Sequence, residues 1–290
     1  MTFGPASARL RPKGKGMRIR STLRVVLAFA LVSGQGLAQF TARELAQRPD
    51  WETFLRQAEI VKQEQMAFEQ GVTEPWRLTL RQGKVVRRAI WKDAMGVRGG
   101  YLEGWRYEIA AYIMDKLLGV GMVPPTVEKA RAGRPGSCQL WIDGTALLRD
   151  LNRKAAKRDA LGSEAWKDAG YIAQFFDNLI GNEDRHTGNV LVTRDFRTIL
   201  IDHSRTFRVG QSFVEGIPFS DKNVPPDELM RRLPRGLVDR TAALSEPAVR
   251  KALEGLLSDT EIGAVMARRD LLLLEVRKII DRFGEANVLY

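Results

Sequence analysis

The sequence predicts an α+β protein with two lobes: a small β-rich lobe that contains one key helix, and a larger, mainly helical lobe. Short strand-like runs are concentrated between residues 76 and 142, whereas apolar residues at helical spacing dominate the second half of the chain. The turn-forming pair Asp143-Gly144 separates the two halves. The predicted segments are a leader (1–38), an N-terminal helical extension (39–70), the small lobe (71–143) and the large lobe (144–290).

The elements of the first half follow from periodicity and from turn residues. In chain order we predict a helix over 49–68, strands over 76–80 and 85–91, a helix over 103–118, and strands over 126–130 and 137–142. The turn 81–84 joins the first two strands into a hairpin, with Gly83 as its glycine. Trp105, Ile109 and Tyr112 recur at helical spacing, and Pro124-Pro125 marks the end of that helical region.

The second half is predicted to be helical apart from one small hairpin. The predicted elements are helices over 147–157 and 163–179, strands over 190–193 and 198–201, a long loop over 205–226 and a final helix over 259–283. A cleft between the two lobes is a common place for a small ligand to bind.

The composition of the chain is that of a globular protein. Its 290 residues are 44% hydrophobic and 28% charged, which allows a substantial core. The net charge of +11 is concentrated in residues 1–38, which hold seven Lys or Arg and no acidic residue, so the remainder carries +4. Nucleic acid is therefore not expected as a partner.

The leader has the pattern of a signal peptide. Basic residues follow Met17, the apolar run Val25 to Val32 comes next, and Gly36-Leu-Ala38 supplies small residues for cleavage. We expect export to a periplasmic or extracellular space, with Met17 as the start. A membrane anchor at the N-terminus and a cytoplasmic protein are the alternatives. Outside the leader we predict no segment that integrates into a membrane.

Cys138 is the only cysteine, so the chain cannot form an intramolecular disulfide. It lies in a predicted strand among apolar residues, a position typical of a small buried hydrophobic side chain. A catalytic role is not expected for it.

Chemically useful side chains are concentrated in residues 178–192 and 200–207, which contain both histidines of the chain, His186 and His203. Asp184 follows a predicted helix, where its carboxylate could accept or orient the proton of a hydroxyl group. Asn189 comes five residues later and Asp202 thirteen after that, one before and one after the predicted hairpin. The hairpin returns both oxygen ligands to one end, an arrangement suited to Mg²⁺ or Mn²⁺. This spacing is typical of phosphoryl transfer, which requires positioned phosphates and neutralised charge.

The motif Gly181-Asn-Glu-Asp-Arg-His-Thr-Gly-Asn189, followed by Ile201-Asp-His, resembles a group of atypical kinases. These are the relatives of phosphatidylinositol 3- and 4-kinases, the secreted family-20 (Golgi casein kinase) proteins and the HipA toxin kinases. The resemblance covers about residues 70–285. It implies a protein-kinase-like fold with ATP and Mg²⁺ or Mn²⁺ as cofactors. It also implies Asp184 as the catalytic acid, His186 as a structural or phosphate-facing partner in that loop, and Asn189 and Asp202 as metal ligands.

The first half agrees with this resemblance. Val86-Arg-Arg-Ala-Ile-Trp-Lys-Asp resembles the strand that brings a lysine to nucleotide phosphates, which implies that Lys92 has a catalytic and nucleotide-binding role. Glu108 then corresponds to the helix glutamate that pairs with this lysine. The backbone of the interlobe segment would bind adenine, and its residues are Gln139, Leu140, Trp141, Ile142 and Asp143.

Two departures from the family pattern leave alternatives open. There is no Gly-x-Gly-x-x-Gly loop, and the residues after Asp202 are His203-Ser-Arg rather than Phe-Gly. The same fold could therefore carry out nucleotidyl transfer or act as a non-catalytic nucleotide-binding or scaffold protein. The Asp-Arg-His cluster could also be a purely structural ion pair. Asp177 is interpreted as a brace of the loop, and His203 as either packing or functional. The hydroxyl acceptor, whether protein, sugar, lipid or small molecule, cannot be read from the sequence.

Overall fold

The computed structural model describes residues 40–66, 74–98, 100–151, 162–225 and 228–290. The predicted leader lies outside these residues, as does the second part of the helix predicted over 147–157. The described strands are β1 (Glu59–Gln65), β2 (Trp76–Gln82), β3 (Val85–Lys92), β4 (Met95–Arg98), β5 (Tyr101–Gly104), β6 (Thr126–Arg131), β7 (Arg134–Leu140), β8 (Ala146–Leu147), β9 (Val190–Val192) and β10 (Thr198–Leu200). The described helices are α1 (Ala42–Ala46), α2 (Arg48–Gln57), α3 (Trp105–Leu118), α4 (Leu148–Leu151), α5 (Glu164–Ile180), α6 (Gln211–Val214), α7 (Arg235–Ala242), α8 (Glu246–Ala252), α9 (Asp259–Phe283) and α10 (Glu285–Val288).

A five-stranded antiparallel sheet with the order β1-β2-β3-β7-β6 forms the small lobe. The predicted hairpin of β2 and β3 is confirmed, with Gly83 at a φ of +59° in its turn. Apolar side chains of β2, β3 and β7 are buried against α2; they are Leu78, Leu80, Ala89, Trp91 and Cys138, with Phe54 and Leu55 opposite. These residues form the hydrophobic core of the small lobe.

The predicted helix over 49–68 is correct only in its first half. Helix α2 ends at Gln57, and the chain continues as strand β1, in which Ile60 is paired with Leu80 of β2. The sequence of β1, Glu-Ile-Val-Lys-Gln-Glu-Gln, is largely charged and polar, which suits an edge strand with both faces partly exposed. Pairing with β2 decided its conformation, and the sheet therefore begins ahead of residue 71.

The large lobe has a second core, built around α5 and α9. Phe175, Phe176 and Leu179 of α5 are fully buried, and Val265 and Leu272 of α9 belong to the same cluster. The predicted helices over 163–179 and 259–283 are confirmed to within one residue. A capping box of Ser258 and Glu261 starts α9 at the predicted position. The predicted hairpin is also present, as β9 and β10.

Two short pairings were not predicted. The segment between β3 and α3, to which no element was assigned from sequence, contains the hairpin of β4 and β5, and β8 pairs with β9 in the large lobe. Trp105 N–H donates to Ala94 O (2.8 Å) and extends the β4–β5 pairing by one residue pair, whereas Gly104 N–H donates to Ser204 O (2.9 Å) in the second half of the chain. A distant residue, Ser204, therefore helps to hold a hairpin that local sequence signals did not indicate.

Helix α2 is attached to α3 by a buried ion pair. Arg48 Nη2 lies 2.7 Å from Asp115 Oδ1 and donates to Val123 O at 3.1 Å. Glu52, one turn further along α2, accepts hydrogen bonds from Tyr112 and Lys116 of α3. These contacts fix the outer face of α3. Within the described residues no helix is both long enough and apolar enough to cross a bilayer.

Replacing Arg48 with Met is expected to destabilise the protein by about 3–5 kcal/mol, because the buried carboxylate of Asp115 loses its cation. Arg56→Met is the matched control on the same helix, since Arg56 is exposed and 3.8 Å from Glu52, and should cost less than about 1 kcal/mol. Urea unfolding of both variants measures the difference. Equal, small effects would show that the Arg48–Asp115 pair does not stabilise the fold.

Cys138 is expected to be unreactive in the folded protein. Its side chain is buried, and burial raises the pKa of its thiol to about 12, so the reactive thiolate is absent at pH 8. A thiol reagent such as Ellman's reagent should label the chain at pH 8 only after unfolding in urea. Rapid stoichiometric labelling of the native protein would contradict the buried position.

Candidate active site

The site is organised around the ammonium group of Lys92. This residue ends β3, where it pairs with Ser137 of β7, and its side chain is almost completely buried. Its Nζ lies 2.6 Å from Glu108 Oε1, in the first turn of α3, and 2.7 Å from Asp202 Oδ1, just after β10. Three of the residues predicted from sequence, separated by up to 110 positions, are therefore in direct contact.

The charges of this triad stabilise one another. Burial by itself would lower the pKa of the Lys92 ammonium, but the carboxylates of Asp202 and Glu108 outweigh burial and raise that pKa above its ordinary value. Burial would likewise raise the pKa of Asp202, but Lys92 outweighs it and holds that pKa at about 2. Lysine and aspartate are therefore both charged at neutral pH. Burial raises the pKa of Glu108 even with Lys92 beside it, so Asp202 is the carboxylate of the triad that is held in its charged form and the one suited to a metal ion.

Asp202 is held in an unusual backbone conformation. Its φ is +59°, a left-handed value that aspartate tolerates better than most residues but that still costs energy. Ser204 Oγ donates to Asp202 Oδ1 at 3.0 Å, and the next backbone N–H, that of His203, donates to Glu108 Oε2 at 3.0 Å. The turn after β10 is therefore attached directly to the lysine–glutamate pair.

The predicted catalytic loop follows α5. Gly181 ends that helix at a φ of +63°, and Asp184 lies on the loop with its side chain about one-third exposed. Asn189 is buried, and its Nδ2 donates to Asp184 O at 3.0 Å. His186 is exposed, and its Nδ1 accepts from Gly188 N–H at 3.0 Å, so it shapes the loop tip. The structure thus brings Asp184 and Asn189 together and places His186 at the rim.

Arg185 is the central brace of the loop. Its Nε and Nη2 contact both carboxylate oxygens of the buried Asp177 at 2.9 and 3.0 Å. Its Nη1 donates to the carbonyl groups of Asn189 and Ile201, each at 2.8 Å. One guanidinium therefore joins the end of α5, the residue that precedes β9 and the residue that precedes Asp202. The interpretation of Asp177 as a brace agrees with this arrangement.

His203 extends the same network. Its ring is fully buried, and Nε2 lies 2.9 Å from Nη2 of Arg185, which can only donate, so Nε2 accepts and the proton is on Nδ1. Burial, reinforced by the charge of Arg185, lowers the pKa of His203 well below its ordinary value, so the ring is neutral. Nδ1 finds no acceptor within the described residues; Glu108 Oε2 is 3.9 Å away. The neutral ring therefore lies between the guanidinium of Arg185 and the carboxylate of Glu108.

The residues present fit a hard divalent cation. Because Ile201 N–H donates to Asn189 O, the residues beside the hairpin, Asn189 and Asp202, lie at the same end of it. A carboxylate and an amide oxygen are suitable ligands for Mg²⁺ or Mn²⁺ when nucleotide phosphates and water complete the shell. The described residues contain no cluster of three or more His, Cys, Asp or Glu side chains for a protein-only metal site.

Part of the predicted adenine-binding segment is already hydrogen-bonded within the protein. Leu140 N–H donates to Pro125 O (2.9 Å) and Trp141 N–H to Arg88 O (3.1 Å), so neither donor is available to adenine. Gln139 lies inside the sheet, paired with Thr126 and Ile90. The remaining backbone donors of the segment are those of Ile142 and Asp143.

The turn that contains Gly83 lies at the end of the β2–β3 hairpin away from Lys92. Gln82 pairs with Val85 at that turn, whereas Trp76 pairs with Trp91 at the other end of the hairpin, next to Lys92. The predicted hairpin is present, but it is the second one of the sheet, because the pairing of β1 with β2 precedes it.

Sequence reasoning assigned no role to two arginines of the site, Arg185 and Arg205. Arg205 Nη1 lies 3.4 Å from Asp184 Oδ2, and its Nε donates to Glu103 Oε1 at 2.6 Å. The signal was present in the positions of these arginines, since each lies within three residues of a predicted site aspartate. Asp177 was expected to brace the loop, but neither its pairing with Arg185 nor the role of Glu103 as the partner of Arg205 could be identified without the tertiary structure.

Solved structures of other proteins share this architecture. No protein-family model matches the chain. A Mycobacterium tuberculosis protein, Protein Rv2133c, is 26% identical over 212 residues, which are 64% of this chain and 72% of that protein. The structure of hydra Fam20 with sugar is similar with a TM-score of 0.59 and 17% identity, covering 84% of this chain and 92% of that one. The Golgi casein kinase with Mn/ADP bound gives a TM-score of 0.57 and 14% identity, covering 84% and 78%.

These structural similarities establish the fold. The chain has an atypical kinase-like fold, with a small antiparallel sheet, one helix that supplies Glu108, and a mainly helical second lobe. The predicted fold class and the predicted resemblance are both confirmed at this level.

Arg185→Met is expected to destabilise the protein by about 3–5 kcal/mol. The change leaves the buried carboxylate of Asp177 unpaired and removes the donor shared by two backbone carbonyls. The control is Arg194→Met in the exposed turn between β9 and β10, which should change stability by less than about 0.5 kcal/mol. Chemical denaturation monitored by tryptophan fluorescence distinguishes the two. A loss below about 1 kcal/mol for Arg185→Met would refute its role as a brace.

Proposed function

We propose that this protein is an ATP-dependent phosphotransferase that moves a phosphoryl group to a hydroxyl acceptor. The observation that carries the proposal is the buried contact of Lys92 with both Glu108 and Asp202. A purely structural ion pair needs one carboxylate, whereas a site that binds phosphates and a metal needs a fixed ammonium and a further acidic ligand.

Each side chain has a defined task in this proposal. Lys92, held in place by Glu108, offers its ammonium to nucleotide phosphates and neutralises their charge. Asp184, partly exposed on the loop after α5, accepts the proton of the acceptor hydroxyl or orients that hydroxyl. Asn189 and Asp202 would hold Mg²⁺ or Mn²⁺, which supplies charge neutralisation at the phosphate oxygens when bound. The neutral His203 and the guanidinium of Arg185 hold these groups in fixed relative positions.

The cofactor assignment has independent support from a structural relative. The Golgi casein kinase, which shares this fold, was solved with Mn/ADP bound. In this chain, the charged carboxylate of Asp202 and the amide oxygen of Asn189 at the hairpin favour the same kind of nucleotide–metal complex. Adenine would then be bound by the backbone of Ile142 and Asp143.

Nucleotidyl transfer is the second candidate reaction. The chain has no Gly-x-Gly-x-x-Gly loop, and its sequence from 66 to 75, between β1 and β2, contains one glycine, Gly71. Where a protein has no glycine-rich loop, the nucleotide phosphates can bind in another orientation. That orientation would present a different phosphorus atom to the acceptor. A non-catalytic role is disfavoured because Lys92, Glu108, Asp184, Asn189 and Asp202 are all retained.

The proposed place of action is outside the cytoplasm, as the signal-like leader indicates. A phosphatase-tag fusion tests this directly, since alkaline phosphatase is active only after export. An N-terminal anchor would also give activity, but in the membrane fraction.

The decisive assay incubates the purified protein with γ-labelled ATP and Mn²⁺ or Mg²⁺. Three acceptors are added in turn: a dephosphorylated acidic protein, a soluble disaccharide and phosphatidylinositol vesicles. Asp184→Asn should lower turnover by about 10²–10⁴-fold because it removes the group that handles the proton. Lys92→Met should lower it by about 10²–10³-fold through lost charge stabilisation.

Arg194→Met, in an exposed turn, is the control and should retain full turnover. Mass spectrometry of the product separates the two candidate reactions, because phosphoryl and nucleotidyl groups add different masses. If Asp184→Asn and the wild type turn over ATP equally, the assignment of this site as catalytic is wrong.

A further inference from the structure

We infer that Arg205 is a positioning residue that holds the Asp184 carboxylate in its working orientation, with Glu103 as its anchor. The inference rests on the proposed function and assigns a role to a residue pair that lies outside the motif itself. It starts from the surroundings of Asp184. The backbone of this residue is fixed by Asn189 and Asn182, but its carboxylate is about one-third exposed, and Arg205 is its side-chain partner among the described residues.

Arg205 is itself held from two sides. Its Nε donates to Glu103 Oε1 at 2.6 Å, and its guanidinium lies over the ring of Tyr101, 4.3 Å from the centroid. Glu103 is buried in β5 and pairs with Gly96 of β4, so the anchor belongs to the hairpin that precedes α3. A flexible arginine with two such contacts has lost most of its freedom before any substrate binds.

The same arginine follows Asp202 by three residues. Between them, Ser204 O accepts from Gly104 N–H at 2.9 Å, so the backbone beside Arg205 is attached to the backbone beside Glu103. A displacement of the turn after β10 would therefore move Asp202 and Arg205 together. The arrangement links the position of the proton acceptor, Asp184, to that of the metal ligand, Asp202.

The distance between Arg205 and Asp184 suits positioning better than stabilisation. At 3.4 Å, Nη1 is beyond ordinary hydrogen-bond length, so the carboxylate is attracted and oriented but can still bond to a hydroxyl group. A partly exposed ion pair of this kind adds little to folding stability. Its effect should therefore be seen in turnover rather than in unfolding.

The test must separate an effect of Arg205 on the position of Asp184 from an effect of the buried Glu103–Arg205 pair on folding stability. Arg205→Ala alone would leave Glu103 buried and uncompensated, and one oxygen of Glu103 already has no hydrogen-bond partner. The informative variant is the double substitution Glu103→Gln with Arg205→Met, which removes both charges. Glu103→Gln alone keeps an acceptor for Arg205, and Arg205→Lys keeps the charge but cannot make both contacts at once. Arg98→Ala removes an exposed arginine of the same hairpin as a control.

We expect the double variant to fold and to bind Mn²⁺·ADP within about threefold of the wild-type affinity. Its kcat for ATP turnover should fall by about 10–100-fold, as is typical of a misplaced catalytic group, with the KM for ATP nearly unchanged. Arg205→Lys and Glu103→Gln, which each weaken the anchor, should fall between this variant and the wild type, whereas Arg98→Ala should stay within about threefold of the wild type.

Three outcomes would overturn the inference. The first is a wild-type kcat in the folded double variant. The second is a loss of kcat matched by an equal loss of Mn²⁺·ADP affinity, which would place Arg205 in nucleotide binding instead. The third applies if the double variant does not fold: Arg205→Lys then shows a wild-type kcat and an unchanged thermal transition. A wild type that neither binds Mn²⁺·ADP nor turns over ATP would refute the proposed function itself, and this inference with it.

Discussion

The contact of one buried ammonium with two carboxylates constrains the rest of this molecule. Lys92 can satisfy Glu108 and Asp202 together only if the end of β3, the first turn of α3 and the turn after β10 meet at one point. Charges removed from water are costly unless they are paired, so this meeting point cannot loosen without exposing or isolating a charge. The sheet, the helix and the second lobe are therefore held in one relative arrangement by electrostatics as well as by packing.

A second set of contacts transmits this arrangement to the catalytic loop. Arg185 bonds to Asp177, to two backbone carbonyls and to the neutral ring of His203, whose own backbone N–H is bonded to Glu108. Arginine suits this task because its planar guanidinium offers five donors in fixed directions. The two histidines of the chain have different surroundings as a result: His203 is buried within the network, and His186 is exposed at the loop tip. In the proposed function the chemistry belongs to Asp184, Asn189 and Asp202, and both histidines contact the segments that present these residues.

Much of the fold followed from local patterns, and the failures have physical causes. Helices α5 and α9 were predicted almost to the residue because each has an apolar stripe and clear end signals, the serine caps and, for α5, Gly181. Strand β1 was predicted as helix because its charged sequence has no strong preference, and only hydrogen bonding to β2 made it a strand. The hairpin of β4 and β5 was missed for a related reason, since a backbone hydrogen bond from Gly104 to the distant Ser204 helps to hold it in place.

The sequence alone determined which chemistry was available: an aspartate, an asparagine and a second aspartate at the spacing of a metal-assisted phosphotransferase, with a lysine and a glutamate far upstream. Residue types and short-range spacing are local properties, so a single chain can display them. The tertiary structure decided which of these groups touch, which backbone donors of the interlobe segment remain free, and that Glu103 holds Arg205. Those facts depend on contacts between residues up to about 110 positions apart, and pairings over such distances are fixed only when the whole chain packs.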